Sequence, residues 1–255
     1  MEFGQNIDAK YEKSRAKLKD SLVKLGGLES ISMATVGKIR KDAIESSLPY
    51  KTLVSEFEDS DVPKTMIEKY CKKEFKELKN AYSWARENYS EDLSETFLEN
   101  LNKKYANKMD SDEVGFRDND LELIGSDYKP IEPEKIASEV KSYVSRVSDK
   151  LKSNELINVV DASIDAHFNM LRLRPFYDAN NRTSKTVQNL ILDNRGVPLP
   201  IISESDKSEY YDLMNKAFVG HNSSSEELSS EEKMFYSYMM DKVNDSVGEV
   251  IEASK

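Results

Sequence analysis

The chain contains few of the residues on which several common sites and folds depend. Its single cysteine, Cys71, cannot form an internal disulfide, which favours a reducing compartment. One cysteine and two histidines also disfavour a zinc site. No segment approaches the roughly 20 consecutive apolar residues of a membrane-spanning helix, and the first residues lack the pattern of a signal peptide. We therefore expect a cytoplasmic protein without a membrane span. Delivery into another cell without a cleaved signal stays open.

Charge, in contrast, is abundant. Charged residues make up 33% of the 255 residues, hydrophobic residues 38%, and the net charge is −10. This composition is typical of a helical protein with long solvated faces, and its acidity argues against nucleic acid as a partner. The length is sufficient for one large core or two.

Periodicity divides the chain into three parts. Residues 1–87 are predicted to be an N-terminal helical region, 88–221 a core, and 222–255 a polar linker followed by an amphipathic helix. Apolar residues at three- and four-residue steps predict helices over 6–25, 30–46, 64–87, 95–105, 156–171 and 183–192. Ser94 is placed to cap the helix that begins at Glu95.

The most informative segment is the loop over residues 173–183, between the last two of these helices. A helix that begins near Asn180 directs free backbone N–H groups and its positive dipole end towards this loop. Arg172, Arg174, Arg182 and Lys185 fall within fourteen residues, whereas Asp178 is the only acid there. This local reversal of sign predicts an anion site, with phosphate as the natural ligand and Asp178 as a candidate Mg²⁺ ligand.

The segment Arg174-Pro175-Phe176-Tyr177-Asp178-Ala179-Asn180-Asn181-Arg182 resembles the signature of the Fic/Doc family, His-Pro-Phe-x-Asp/Glu-Gly/Ala-Asn-Gly/Lys-Arg-x-x-Arg. Further similar stretches are Gly115-Phe116-Arg117, Leu123-Ile124-Gly125, the segment 128–133 and the segment 208–213. The resemblance covers about residues 90–220, in the family's order. It implies an all-α, Fic-type helical bundle with one small β-hairpin at about 115–128. It also implies a relation to enzymes that transfer AMP from ATP to a protein hydroxyl.

The resemblance also implies roles for individual residues. Pro175 and Phe176 would anchor the loop, and Asp178 would hold Mg²⁺ with ATP or another nucleotide. Phosphates would be bound by Asn180, Asn181, Arg182 and Lys185. The hairpin residues Leu121, Leu123 and Gly125 would dock a protein target by adding its strand to the hairpin edge. The sequence does not predict the oligomeric state.

Three positions of the signature depart from the family. Arg174 stands where the catalytic His takes the proton from the target hydroxyl, and a guanidinium has no lone pair to accept it. Loss of a positioned general base typically lowers the rate by about 10²–10⁴-fold. Asn181 replaces Gly or Lys, although Asn tolerates positive φ better than most residues. Lys185 replaces the second Arg and loses its bidentate fork.

A further departure concerns regulation. Many family members carry an inhibitory helix whose Glu blocks the γ-phosphate position. The segment 42–53 aligns with that motif, but Pro49-Tyr50-Lys51 stands where Ile-Glu-Gly is expected. The inhibitory Glu is therefore absent, which is consistent with a site that has little activity to restrain.

Three hypotheses remain open. The first is a degenerate Fic-fold protein that binds a nucleotide or other phosphate ligand without efficient transfer. The second is an active, divergent transferase that uses ATP or another donor. The third is a non-enzymatic interaction module on a Fic scaffold. His167, seven residues before Arg174, is either a displaced base or, as we favour, a structural residue.

Overall fold

The computed structural model describes residues 2–46, 64–105, 115–122, 128–221 and 227–255. These residues form nine α-helices and one short 3₁₀-helix, Glu204–Asp206. The α-helices are α1 (Glu2–Gly26), α2 (Met33–Glu45), α3 (Lys64–Asn88), α4 (Glu95–Tyr105), α5 (Pro133–Leu151), α6 (Leu156–Leu173), α7 (Asn180–Asn194), α8 (Lys207–Gly220) and α9 (Ser230–Ala253). The predicted all-α fold is confirmed.

Helix α6 lies at the centre, because its sequence is apolar on two opposite faces and is buried on both. One face packs with α1, α2, α8 and α9, and it carries Val160, Ile164, Phe168 and Leu171. The other packs with α3, α4, α5 and α7, and it carries Val159, Ala162, Ala166 and Met170. Each set recurs at three- and four-residue steps, so each forms one stripe along the helix. The helix thereby joins two hydrophobic clusters.

Helix α7 packs against α6, and α1 packs along α9. Val187, Leu190 and Ile191 direct α7 into the second cluster. The chain leaves α7 through Gly196, whose φ of 69° is readily adopted only by glycine. The loop between the end of α6 and the start of α7 is therefore held at one end of two buried helices.

The structure confirms the predicted helices to within a few residues, including the Ser94 cap, whose Oγ accepts from the Phe97 N–H at 3.1 Å. Two helices had not been predicted, α5 and α8. The signal for α5 was present: Pro133 is at its first position, and buried residues follow at helical spacing. These residues are Ile136, Val140, Tyr143, Val144, Val147 and Leu151.

The predicted hairpin is not seen in the described part of its range, residues 115–122. Those residues instead contain one antiparallel bridge, between Phe116 and Phe176 of the loop. Leu123 and Gly125 lie outside the described residues, as does the segment Pro49-Tyr50-Lys51, so the hairpin and the altered regulatory motif stay predictions. The division into 1–87, 88–221 and 222–255 also stays a prediction. No described helix combines the length and the hydropathy needed to cross a bilayer.

Candidate functional site

The loop between α6 and α7 begins and ends with left-handed backbone. Arg174 has φ 43° and ψ 61°, and Ala179 has φ 59° and ψ 12°. Within the described ranges these are the only non-glycine residues with positive φ. Each such conformation costs about 1–2 kcal/mol, and it persists only where the surroundings impose it. Backbone strain of this kind is concentrated at functional sites.

The loop is fixed to the core beneath it by Phe176. Its ring is buried in the second hydrophobic cluster, 5.6 Å between centroids from the ring of Phe116. The backbone N–H of Arg117 donates to the Pro175 carbonyl at 2.9 Å, beside the Phe116–Phe176 bridge. The Phe176 ring thus packs beneath the loop and the Pro175 carbonyl is held by Arg117, while their role as loop anchors stays a prediction.

The side chain of Arg117 is buried and bonds only to backbone carbonyls. Its guanidinium donates to the carbonyl oxygens of Arg174 (2.8 Å), Asn119 (2.7 Å) and Ile131 (2.5 Å). Burial lowers the pKa of Arg117, and no carboxylate in the described chain lies at ion-pair distance from it. The Arg117 side chain therefore ties the start of the loop to the two segments that contain Asn119 and Ile131.

Two asparagines shape the rest of the loop. The Asn180 carboxamide accepts from the Phe176 N–H at 3.0 Å and donates to the Phe176 carbonyl at 2.7 Å. Asn102 of α4 donates to the Asp178 carbonyl at 2.8 Å and to the Thr183 hydroxyl at 3.2 Å. In this arrangement both polar atoms of the Asn180 carboxamide bond to the Phe176 backbone, so this side chain holds the loop and does not line up with a ligand through those atoms. The sequence analysis missed Asn102, because an isolated Asn within an amphipathic helix carries no distinguishing signal.

A cleft of about 300 Å³ opens beside the loop. Arg174, Asp178, Asn181 and Arg182 line it, together with Leu121 and Glu122 from another segment. Ala179, which precedes α7, has no side chain that could cap the helix, and no side-chain cap is formed. No side-chain cap therefore forms at the start of α7, which lies at the edge of a cleft lined by two arginines and by the carboxylates of Asp178 and Glu122. The helix start and the arginines favour an anion there.

Asp178 is the acid on the loop side of this cleft. Its carboxylate is 56% exposed and lies 3.4 Å from Arg182 Nη2. No group of three or more potential metal ligands occurs in the described part of the chain. Mg²⁺ keeps several waters and often binds through one or two carboxylates together with ligand phosphates. An exposed Asp178 at the edge of the cleft fits that mode of binding, and its role as a Mg²⁺ ligand stays a prediction.

Lys185 does not line this cleft. It lies instead beside a small cavity between α2 and α7, together with His167 and Gln188. Its ammonium sits 5.5 Å from the ring centroid of Tyr210, and no ion pair to it is formed within the described residues. Burial, and secondarily the charge of Lys207, lowers the pKa of Lys185 to about 8. The structure therefore separates Lys185 from the other predicted phosphate-binding residues.

Replacing Lys185 with Met is expected to stabilise the fold at neutral pH. Between pH 8 and the ordinary value of 10.5, the unfolded chain holds this proton and the folded chain does not, so stability rises with pH. Below pH 8 the fold must bury the charge, and Lys185→Met should raise the free energy of unfolding by about 1–3 kcal/mol. Urea unfolding of both proteins from pH 7 to about 9.5 measures the difference in their free energies of unfolding. If the two free energies change with pH in parallel, the prediction is contradicted.

His167 is fully buried and faces away from the cleft. Its Nε2 lies 2.6 Å from the Tyr210 hydroxyl, and its ring stacks near Phe235. Burial, and then the charge of Lys185, lowers the pKa of His167 to about 3. These contacts agree with a structural histidine and give no route from its ring to a substrate in the cleft.

Arg174 lines the cleft as a half-buried cation. Its Nε is buried and has no hydrogen-bond partner, and no described carboxylate is close enough for an ion pair. Burial lowers the pKa of Arg174, but a guanidinium remains protonated at ordinary pH. The position where the resemblance places the family's base thus carries a charge without an ion-pair partner in the described chain.

Comparison with known proteins agrees with this geometry. Residues 92–192 match the model of the Fic/DOC family. The protein adenylyltransferase fic-1 of Caenorhabditis elegans is 29% identical over 93 residues, which are 36% of this chain and 18% of that protein. The chain therefore matches less than a fifth of the length of that relative.

Solved structures of Fic proteins share the fold. A Fic domain containing signaling protein from Bacteroides thetaiotaomicron superposes with a TM-score of 0.69 at 18% identity, covering 93% of this chain and 97% of that one. IbpAFic2, covalently tethered to Cdc42, superposes with a TM-score of 0.61 at 15% identity, covering 91% and 70%. The fold and the matched signature region define a Fic-type helical protein. The similarity to the Fic/DOC family is thus shown for residues 92–192.

Proposed function

We propose that this protein binds a nucleotide, or a related phosphate-bearing ligand, with Mg²⁺ in the cleft beside α7, and that it transfers AMP poorly or not at all. The observation that carries the proposal is the combination in one cleft of an uncapped helix start, Arg182 and an exposed Asp178. Oriented N–H groups at a helix start bind phosphate, and Arg182 adds charge and directed donors.

Impaired transfer follows from the residues that surround the loop. Arg174 occupies the position of the family's base and cannot accept a proton from a hydroxyl. His167, the nearest imidazole in sequence, is bonded to Tyr210 and buried. The expected loss is about 10²–10⁴-fold relative to a site with a base. Binding does not need the base, so the ligand site is retained.

A protein partner is part of the proposal. IbpAFic2, which shares the fold, is tethered to Cdc42 in its solved structure. We propose that a protein segment likewise approaches the cleft of this chain, along the side that contains Leu121 and Glu122. The predicted hairpin edge would receive it by strand addition.

Calorimetric titration of the purified protein with ADP, with Mg²⁺ or with EDTA, tests the ligand site. We expect binding that is tighter with Mg²⁺, and we expect Asp178→Asn to lose about tenfold in affinity with Mg²⁺, the loss expected for one charged contact. The same substitution should change little in EDTA.

Asp149→Asn is the matched control, because that carboxylate is also largely exposed and lies on α5, outside the cleft. Equal losses of affinity in both variants would show that the effect arises from the overall charge of the protein. A complete lack of binding by the unaltered protein would refute the proposed ligand site and favour an interaction module. Accumulation of AMP on the protein with ATP would instead show an active transferase.

A further inference from the structure

The cleft contains two separate cationic positions, one at each end of the loop. Arg182 and the uncapped N–H groups of α7 follow Ala179, whereas Arg174 precedes the loop at the end of α6. The backbone of Arg174 is fixed, since its carbonyl accepts from Arg117 at 2.8 Å and its N–H donates to the Met170 carbonyl at 3.1 Å. The guanidinium is therefore carried by a rigid attachment point at the cleft wall.

The two arginines differ in their partners. Arg182 has Asp178 at 3.4 Å, in the same cleft. Burial lowers the pKa of Arg174, and the neighbouring groups that raise it are the phenols of Tyr128, Tyr210 and Tyr211. These hydroxyls already have partners: Tyr128 donates to the Arg172 carbonyl at 2.9 Å, Tyr210 is paired with His167, and Tyr211 accepts from Asn181 at 3.3 Å.

An unpaired, partly buried charge is unfavourable, and a buried N–H without an acceptor adds to that cost. Arg174 combines both features, and its Nε is out of contact with any acceptor in the described chain. An oxyanion bound in the cleft would supply the missing charge and the missing acceptor together. A guanidinium is suited to this because its planar fork matches phosphate oxygens.

We propose that Arg174 is a specificity-determining residue that receives a second phosphate group, so that the cleft selects ligands with at least two phosphates over those with one. This inference rests on the proposed phosphate site at α7. The first phosphate occupies the α7 start beside Arg182, and the second is bound by the Arg174 guanidinium. Arginine at position 174 thus removes the group that would accept a proton and places an anion-binding group there instead.

The test compares AMP, ADP and inorganic diphosphate by calorimetry, with Mg²⁺ throughout. Arg174→Gln should bind ADP roughly tenfold to a hundredfold more weakly than the unaltered protein, the loss expected for charge-assisted hydrogen bonds. Its affinity for AMP should change less than about threefold. Arg174→Lys should fall between the two proteins for ADP, because it retains charge without the fork.

Lys129→Gln is the charge-matched control, since Lys129 is exposed and does not line the cleft. It should leave the ratio of the ADP and AMP affinities unchanged. Circular dichroism checks that each variant is folded, and Arg174→Lys remains informative if Arg174→Gln unfolds. If Arg174→Gln weakens the binding of inorganic diphosphate as much as that of ADP, the two phosphates alone are sufficient for recognition by Arg174. If it weakens the binding of ADP alone, the nucleoside is needed to position the phosphates. Both results support the proposal.

The proposal would be overturned by equal losses for AMP and ADP in Arg174→Gln, or by no loss for either. Failure of the unaltered protein to bind any of the three ligands would instead refute the phosphate site itself. The two failures are therefore distinguishable.

Discussion

Replacing Arg174 with histidine is expected to produce a protein that gains the mass of an AMP group when it is incubated with Mg²⁺ and ATP, whereas the unaltered protein gains none. Imidazole offers the lone pair that guanidinium lacks, and a positioned base contributes about 10²–10⁴-fold to the rate. Histidine also tolerates the left-handed backbone of this position better than most residues. Intact-mass spectrometry over a time course measures the rate of transfer.

The control for this experiment is the double variant Arg174→His with Asp178→Asn. If transfer depends on the cleft, the loss of the proposed metal ligand should remove most of the gain. Transfer by the unaltered protein at a comparable rate would show that its chemistry does not need a base at position 174. Lack of transfer in the histidine variant, with ADP binding intact, would show that more than the base has been lost.

Replacing Arg117 with methionine is expected to lower the free energy of unfolding by about 2–4 kcal/mol, because buried carbonyl acceptors lose their donors. The affected oxygens belong to Arg174, Asn119 and Ile131. Since the Arg174 carbonyl is one of them, the loop should also lose its fixed start. The affinity of the variant for a nucleotide should therefore fall by more than its small unfolded fraction accounts for. Urea unfolding and calorimetry on the same preparation measure both effects.

Arg195→Met is the control, because Arg195 also donates to backbone carbonyls, of Leu151 and Ser153, and is remote from the loop in its contacts. It differs from Arg117 in that it also forms an ion pair with Glu91. It should lower stability without a separate loss of affinity. A change in stability of less than about 0.5 kcal/mol for Arg117→Met, as is usual at surface positions, would contradict the role assigned to this residue.

Much of the fold follows from local patterns. Apolar spacing predicted α1, α2, α3, α4, α6, α7 and α9, because each helix buries a stripe that is visible in the sequence. Helix α5 shows the same pattern after Pro133 but was not predicted. The hairpin was expected from the alternation over residues 115–128 and from the resemblance, and only its docking role came from the resemblance alone. In the described residues of its range, the pairing of Phe116 is with Phe176, a contact that no local pattern could indicate because the residues are far apart in the chain.

The sequence by itself indicated the resemblance to the Fic/DOC family and the all-α class, because both depend on residue type and short-range spacing. The phosphate-binding role of the loop and the loss of the base stay predictions from the same patterns. Only the tertiary structure decided how the charges are grouped. It brings Arg174 and Arg182 into one cleft and turns Lys185 into a different cavity, although Lys185 is three residues from Arg182. The reason is their position along α7: Arg182 lies in the first turn, beside the cleft, whereas Lys185 lies about one turn further from the helix start and packs beside Tyr210. The packing also brings Asn102 and Arg117, from distant segments, onto the loop carbonyls that hold its shape.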